Sequence, residues 1–346
     1  MKLVSTMLVG AAVVAAVVIG VADWQQRPAE AVSDSSVKRW PFSKSAPQIA
    51  AIAQAKIVEN VKRSAAASVN GVSPSDWDSE FYKSKNLFPL VKKAASAGLY
   101  NHDGRAAFLV GQAIQSCALV YKSYQRNPDV ETTFDADYAQ MAPKAEEWAR
   151  VRAREQFDRC LPMAKEDPFS DLPQRSEGYR NAAFWQQMAL SNNDPVAESH
   201  QAILDLAEAN YKDSTGRDAT LAKAQQLISD AAQSGDPRAL FMTGQVLANA
   251  RNSSDPVRGV AISLAACDLG YDCSAKNPDN VFSVCVDSGA CPADADYAYY
   301  MQQSLGPAAF GKAYQQAQTI VDLIARNDWD AVAAFTKLDG PQISRN

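Results

Sequence analysis

Alanine decides which secondary structure is open to this chain. Sixty of its 346 residues are alanine, the best helix former and one of the poorer strand formers. No alternation of apolar and polar residues runs beyond four positions, so no sheet is expected. Gly and Pro number only 16 and 17, which excludes collagen-like and low-complexity chains. With 47% apolar residues there is enough apolar surface for a core, and disorder is excluded as well. The predicted class is all-α, and the length suits two ordinary domains or one extended helical array. A formal charge of −5 leaves no basic field to hold nucleic acid.

The compartment is written at the N-terminus. Leu3 to Ala22 is a charge-free run of twenty residues, about 30 Å as a helix and enough to cross a hydrocarbon core. As a cleaved signal peptide it has Lys2 as its basic start and Gly20-Val21-Ala22 before a cut near Ala22. As an uncleaved anchor it exceeds the usual apolar stretch of about 7–15 residues, and Trp24 falls where an interfacial aromatic belongs. Either way the chain beyond Asp23 is exported to the periplasm. The expected organisation is a signal or anchor over 1–22, a polar linker over 23–46, a helical domain over 47–338 and a tail over 339–346. Pro28 and Pro41 punctuate the linker.

Six cysteines in an exported chain, Cys117, Cys160, Cys267, Cys273, Cys285 and Cys291, argue for three disulfides. The last four define an insert over 267–291 with the spacing C-x5-C-x11-C-x5-C. Zinc sites use tighter C-x2–4-C pairs and no histidine lies nearby, so no metal and no cofactor is expected. The preferred pairing is 117–160, 267–273 and 285–291; its rival joins 267 to 285 and 273 to 291. Without a C-x-x-C motif, redox catalysis has no carrier.

Leu221 to Gly270 carries the clearest organisation. Ala224, Leu227, Ile228 and Ala231 line one helix face. Gly235 stops that helix in the left-handed conformation, Asp236 caps the next and Pro237 takes its first position. Gly244 permits a close helix contact. Asp255-Pro256 restarts the cycle, and Ala265-Ala266 with Gly270 closes it, thirty-four residues after Ala231-Ala232. Echoes occur at Ala94-Ala95, Gly98, Ala106, Ala107 and Gly111, and at Met188-Ala189 before Asp194-Pro195. This stretch resembles the Sel-type repeats, relatives of the tetratricopeptide repeats. The resemblance covers 221–270 and implies an irregular array of helical hairpins, an α-solenoid, that binds protein.

Catalytic signatures are sparse. No P-loop, Rossmann fingerprint, G-x-S-x-G or H-E-x-x-H occurs. Glu198-Ser199 resembles the Glu-Ser pair of helical lytic transglycosylases, but Ala202 to Tyr211 replaces the Gly-rich segment that should follow, and an exposed helical Glu is a poor general acid. His102 is expected to lead into a helix and His200 to sit half-exposed on one. Glu146–Arg150 and Glu155–Arg159 are expected to pair at i,i+4 along a helix over 135–164 that breaks near Pro143. A further helix is expected over 279–288. Tyr297, Tyr299 and Tyr300 cannot all face one core, and they are the candidate partner-facing aromatics. The expected function is a non-enzymatic envelope scaffold or adaptor for a protein partner. The rivals are a divergent cell-wall enzyme and an inhibitor or immunity-type protein against an exported toxin.

Overall fold

The computed structural model describes residues 74–338 apart from 97–101, 144, 173–175, 210, 212, 250–254, 278–279 and 281–282. The expected signal or anchor, linker, tail and first part of the helical domain lie outside the described residues, as does Gly98. Among the described residues no helix is long and apolar enough to cross a membrane. The fold is all-α. No strand forms there, and the one extended contact is an isolated bridge between Ser274 and Asp296.

Helices α1 (Pro74–Lys83) and α2 (Phe88–Ser96) pack on α3 (Gly104–Arg126). An excursion follows through α4 (Val130–Met141), α5 (Glu147–Lys165) and the single turn α6 (Ser176–Tyr179). Helix α7 (Ala182–Ser191) then returns to α3. Beyond it, α8 (Pro195–Ala209) pairs with α9 (Ser214–Gln233), and α10 (Pro237–Asn249) pairs with α11 (Pro256–Asp268). The short α12 (Ser283–Asp287) leads to α13 (Tyr297–Ala325) against α11, and α14 (Trp329–Phe335) packs on both α13 and α9.

Aspartate caps several of these helices. Asp103, Asp213, Asp255, Asp296 and Asp328 each accept a backbone N–H in the first turn, which satisfies a donor the helix cannot. Gly235 stops α9 at φ +72° and Gly270 follows α11 at φ +108°, both in the left-handed region. A Cβ at Gly235 would also stand 2.8 Å from Cη2 of Trp329. Gly235→Val is therefore expected to cost roughly 1–3 kcal/mol, read as a lower melting temperature; a melt equal to the parent's would place no strain at this turn.

The α10–α11 pair is enclosed. Every residue from 259 to 266 is buried, and none from 237 to 248 is exposed. The C-terminal end closes back on α9: the Gln225 amide donates to the Thr336 carbonyl at 3.3 Å and accepts from the Leu338 N–H at 2.5 Å. One core gathers Trp77, Phe108 and Trp185 between α1, α3 and α7. Another gathers Leu240, Leu247, Ile262 and Ile320 between α10, α11 and α13.

Three expectations about the helices need correction. The helix over 135–164 does break around Pro143, into α4 and α5, and the longest uninterrupted helix among the described residues is α3 with 23 residues, since α13 is interrupted at the non-helical Gly306. Glu146 accepts from the Trp148 indole at 2.6 Å. Arg159 donates to the carbonyls of Ser84 and Phe81, and the i,i+4 ion pair on α5 is Arg154–Asp158 at 2.9 Å. Of the expected helix over 279–288, residues 279, 281 and 282 lie outside the described residues, Asn280 is not helical, and α12 ends at Asp287, before the turn at Gly289 inside the ring closed by Cys285 and Cys291.

Candidate functional site

All six cysteines are paired, as Cys117–Cys160, Cys267–Cys273 and Cys285–Cys291, with Cα atoms 5.2, 5.6 and 5.1 Å apart. This is the preferred pairing and not its rival. The first bridge ties α3 to α5, and the other two staple the insert between α11 and α13.

The densest chemistry lies elsewhere, where the N-termini of α3, α8 and α10 converge. Arg105, in the first turn of α3, is only 3% exposed. Its Nε donates to Asp194 at 2.8 Å and its Nη2 to Asp236 at 2.6 Å, while Nη1 donates to Asp78 of α1. The other oxygens of the two capping aspartates serve their own helices. Asp194 accepts from Ala197 N–H at 2.8 Å, and Asp236 accepts from the N–H groups of Arg238 and Ala239 at 2.8 and 3.0 Å. Arg238 completes the cluster, donating to Asp78 at 2.5 Å and to the Tyr82 hydroxyl. Asp103 caps α3 beside it and accepts from the Trp77 indole at 2.9 Å.

Three carboxylates and two guanidiniums leave one formal negative charge, set against the positive ends of three helices. Burial opposes the charge on Arg105, yet Asp194, Asp236 and Asp78 more than reverse it and hold the guanidinium charged. Burial likewise pushes Asp236 up, but Arg105 and the Ala239 N–H bring it below its ordinary value. For Asp194 burial wins over the same kinds of partner and its carboxyl is raised. Every arm of Arg105 is engaged by a carboxylate, so the cluster fastens three helix ends together and is not an anion receptor.

Glu198, Ser199 and His200 stand on α8 one turn further on. Ser199 is fully buried and spends its hydroxyl on the Ala239 carbonyl and on Thr243, at 3.1 and 3.2 Å. Glu198 is half-buried and not exposed as expected. Burial, then Asp230 and Asp194, push its carboxyl up to about 7. His200 packs edge-on to Phe108 at 5.9 Å, and burial, then Arg238, lower its imidazole.

These two groups give stability opposite slopes with pH. Folded Glu198 holds a proton from its ordinary 4.5 to about 7 that the unfolded chain has released, so stability falls as pH rises across that window. His200, lowered from 6.5, lacks a proton that the unfolded chain binds, so its contribution rises with pH up to that value. Glu198→Gln should therefore leave a stability that rises with pH up to 6.5, and gain about 1–2 kcal/mol at pH 8 once the shift is discounted for the partial exposure of the group. Urea unfolding of the parent and variant across this range checks it; an unchanged slope would mean that Glu198 is solvated.

The tyrosine expectation is corrected in part. Tyr297 is buried at 3% exposure, its hydroxyl accepts from Gln245 at 2.8 Å, and burial pushes it up to about 12. It faces the core and no partner. Tyr299 and Tyr300 are half-buried. His102 is exposed ahead of α3. Comparison of the chain with protein-family models, with curated proteins and with solved structures finds no match.

Proposed function

We propose that this chain is an exported, disulfide-stapled scaffold of the cell envelope that binds a protein partner. Its helical pairs are repeats of the Sel type, and residues 3–22 are a membrane anchor or a signal cleaved near Ala22. One observation carries the reading. Of the large apolar side chains exposed among the described residues, Leu119 (77%), Met141 (76%) and Val151 (47%) lie on α3, α4 and α5, with Tyr211 (88%) apart. Stacks of helical pairs bury their faces against neighbours and bind through what the stack leaves uncovered. Here the α10–α11 pair is enclosed, whereas α3, α4 and α5 each leave one large apolar side chain exposed.

A reporter active only outside the cytosol, fused after residue 46, is expected to give signal, and crosslinking of the full chain in the native envelope is expected to give a discrete adduct. Signal from a cytosolic reporter alone overturns the reading. A second reading, a cell-wall enzyme, is favoured by the raised carboxyl of Glu198. It requires release of wall glycan by the purified protein, abolished in Glu198→Gln.

A further inference from the structure

The outer face of α3 changes character along its length. Residues 104–111 are all buried, whereas Gln115, Leu119, Lys122 and Arg126 are all exposed. Their spacing of four, three and four places them on one face, about 16 Å long. Most cations of the following excursion are engaged: Arg152 with Asp287, Arg154 with Asp158, Lys165 with Glu131 and Arg180 with Asp167. Lys122 and Arg126 make no ion pair or hydrogen bond among the described residues, and neither does Arg150 beside the exposed Val151. In a chain of net charge −5, Lys122 and Arg126 thus stand unpaired on the face of the exposed Leu119, while around Val151 the exposed Glu147 and Glu155 accompany Arg150.

We propose that this face of α3 receives an acidic amphipathic helix of the protein partner. Leu119 enters its apolar stripe, and Lys122 and Arg126 meet carboxylates along its flank. The inference rests on the scaffold reading and names the chemistry of its partner. Charge complementarity selects an acidic segment, since opposite charge at a rim steers encounter and fixes register. A lipid-inserting face would present several bulky apolar residues, and this one presents a single leucine.

The test places a photo-crosslinking amino acid at Leu119, Met141, Val151 or Tyr299 of the full chain in the cells that make it. Expected is an adduct from position 119 that maps to an acidic, helix-forming peptide of another protein. Its yield should fall about tenfold in Lys122→Glu with Arg126→Glu, and return in Lys122→Arg with Arg126→Lys. An adduct only from the other positions overturns this proposal and leaves the scaffold reading standing. A lipid adduct, a peptide without excess acid, or indifference to charge reversal overturns it too. No adduct at any position overturns both.

Discussion

Arg105→Met is expected to lower stability by about 3–5 kcal/mol, the range for removing one partner from a buried ion pair. The substitution keeps most of the side-chain volume, so the loss reports charge rather than packing. Asp194 and Asp236 would lose their shared guanidinium while held at the ends of α8 and α10, and Asp78 would retain only Arg238. Water cannot easily take over, because Arg105 and Asp194 are 3% and 5% exposed. The control is the triple variant Arg105→Met, Asp194→Asn, Asp236→Asn. Asparagine caps helices as well as aspartate does, so the caps survive while the stranded charges disappear, and much of the loss should be recovered. Urea unfolding of the parent, single and triple variants decides it. A single variant within about 1 kcal/mol of the parent would mean that the three helix ends hold together by packing alone. A triple variant no better than the single one would mean that stranded charge is not the cause.

That cluster also marks where reading the sequence stops. Helix boundaries were legible because their causes are local. Asp236-Pro237 and Asp255-Pro256 announce starts, and Gly235 and Gly270 announce stops, through backbone chemistry within a few residues. The disulfides within the insert were legible for a similar reason, since each closes a ring of only six residues' separation. Arg105 reaches partners 89 and 131 residues away, and no local rule encodes that. The one trace was its place as the single charge in the run Gly104 to Gly111. Tyr297 was misplaced for a related reason: helical spacing says which tyrosines share a face, not which face turns inward. Glu198 looked exposed because the helices that pack on α8 come from distant stretches of the chain, α9 among them, which brings Asp230 to bear on its carboxyl.

Gly259→Ala is expected to destabilise by about 3 kcal/mol, at or above the upper end for overpacked cores, although the same change in an ordinary helix stabilises by about 0.5–1 kcal/mol. The sign turns on what the new methyl meets. A Cβ at Gly259 would lie 2.2 Å from the Ala248 backbone nitrogen, 2.7 Å from its Cα and 2.7 Å from the Gly244 carbonyl oxygen. All three are backbone atoms of α10, so no side-chain rotation relieves the clash and the helices must part. Gly244 faces the same crossing from the other side, where a Cβ would stand 2.6 Å from the Gly259 carbonyl oxygen. Parting is costly here because α11 is buried throughout 259–266 and has α13 behind it. Gly311→Ala is the matched comparison. It lies within α13, with nothing within 4 Å of its Cβ position, and should raise stability by the ordinary helical amount. Thermal melts of the two variants should therefore move in opposite directions. If Gly259→Ala melts at or above the parent, α10 and α11 do not cross at backbone contact, and the enclosed hairpin is looser than this packing requires.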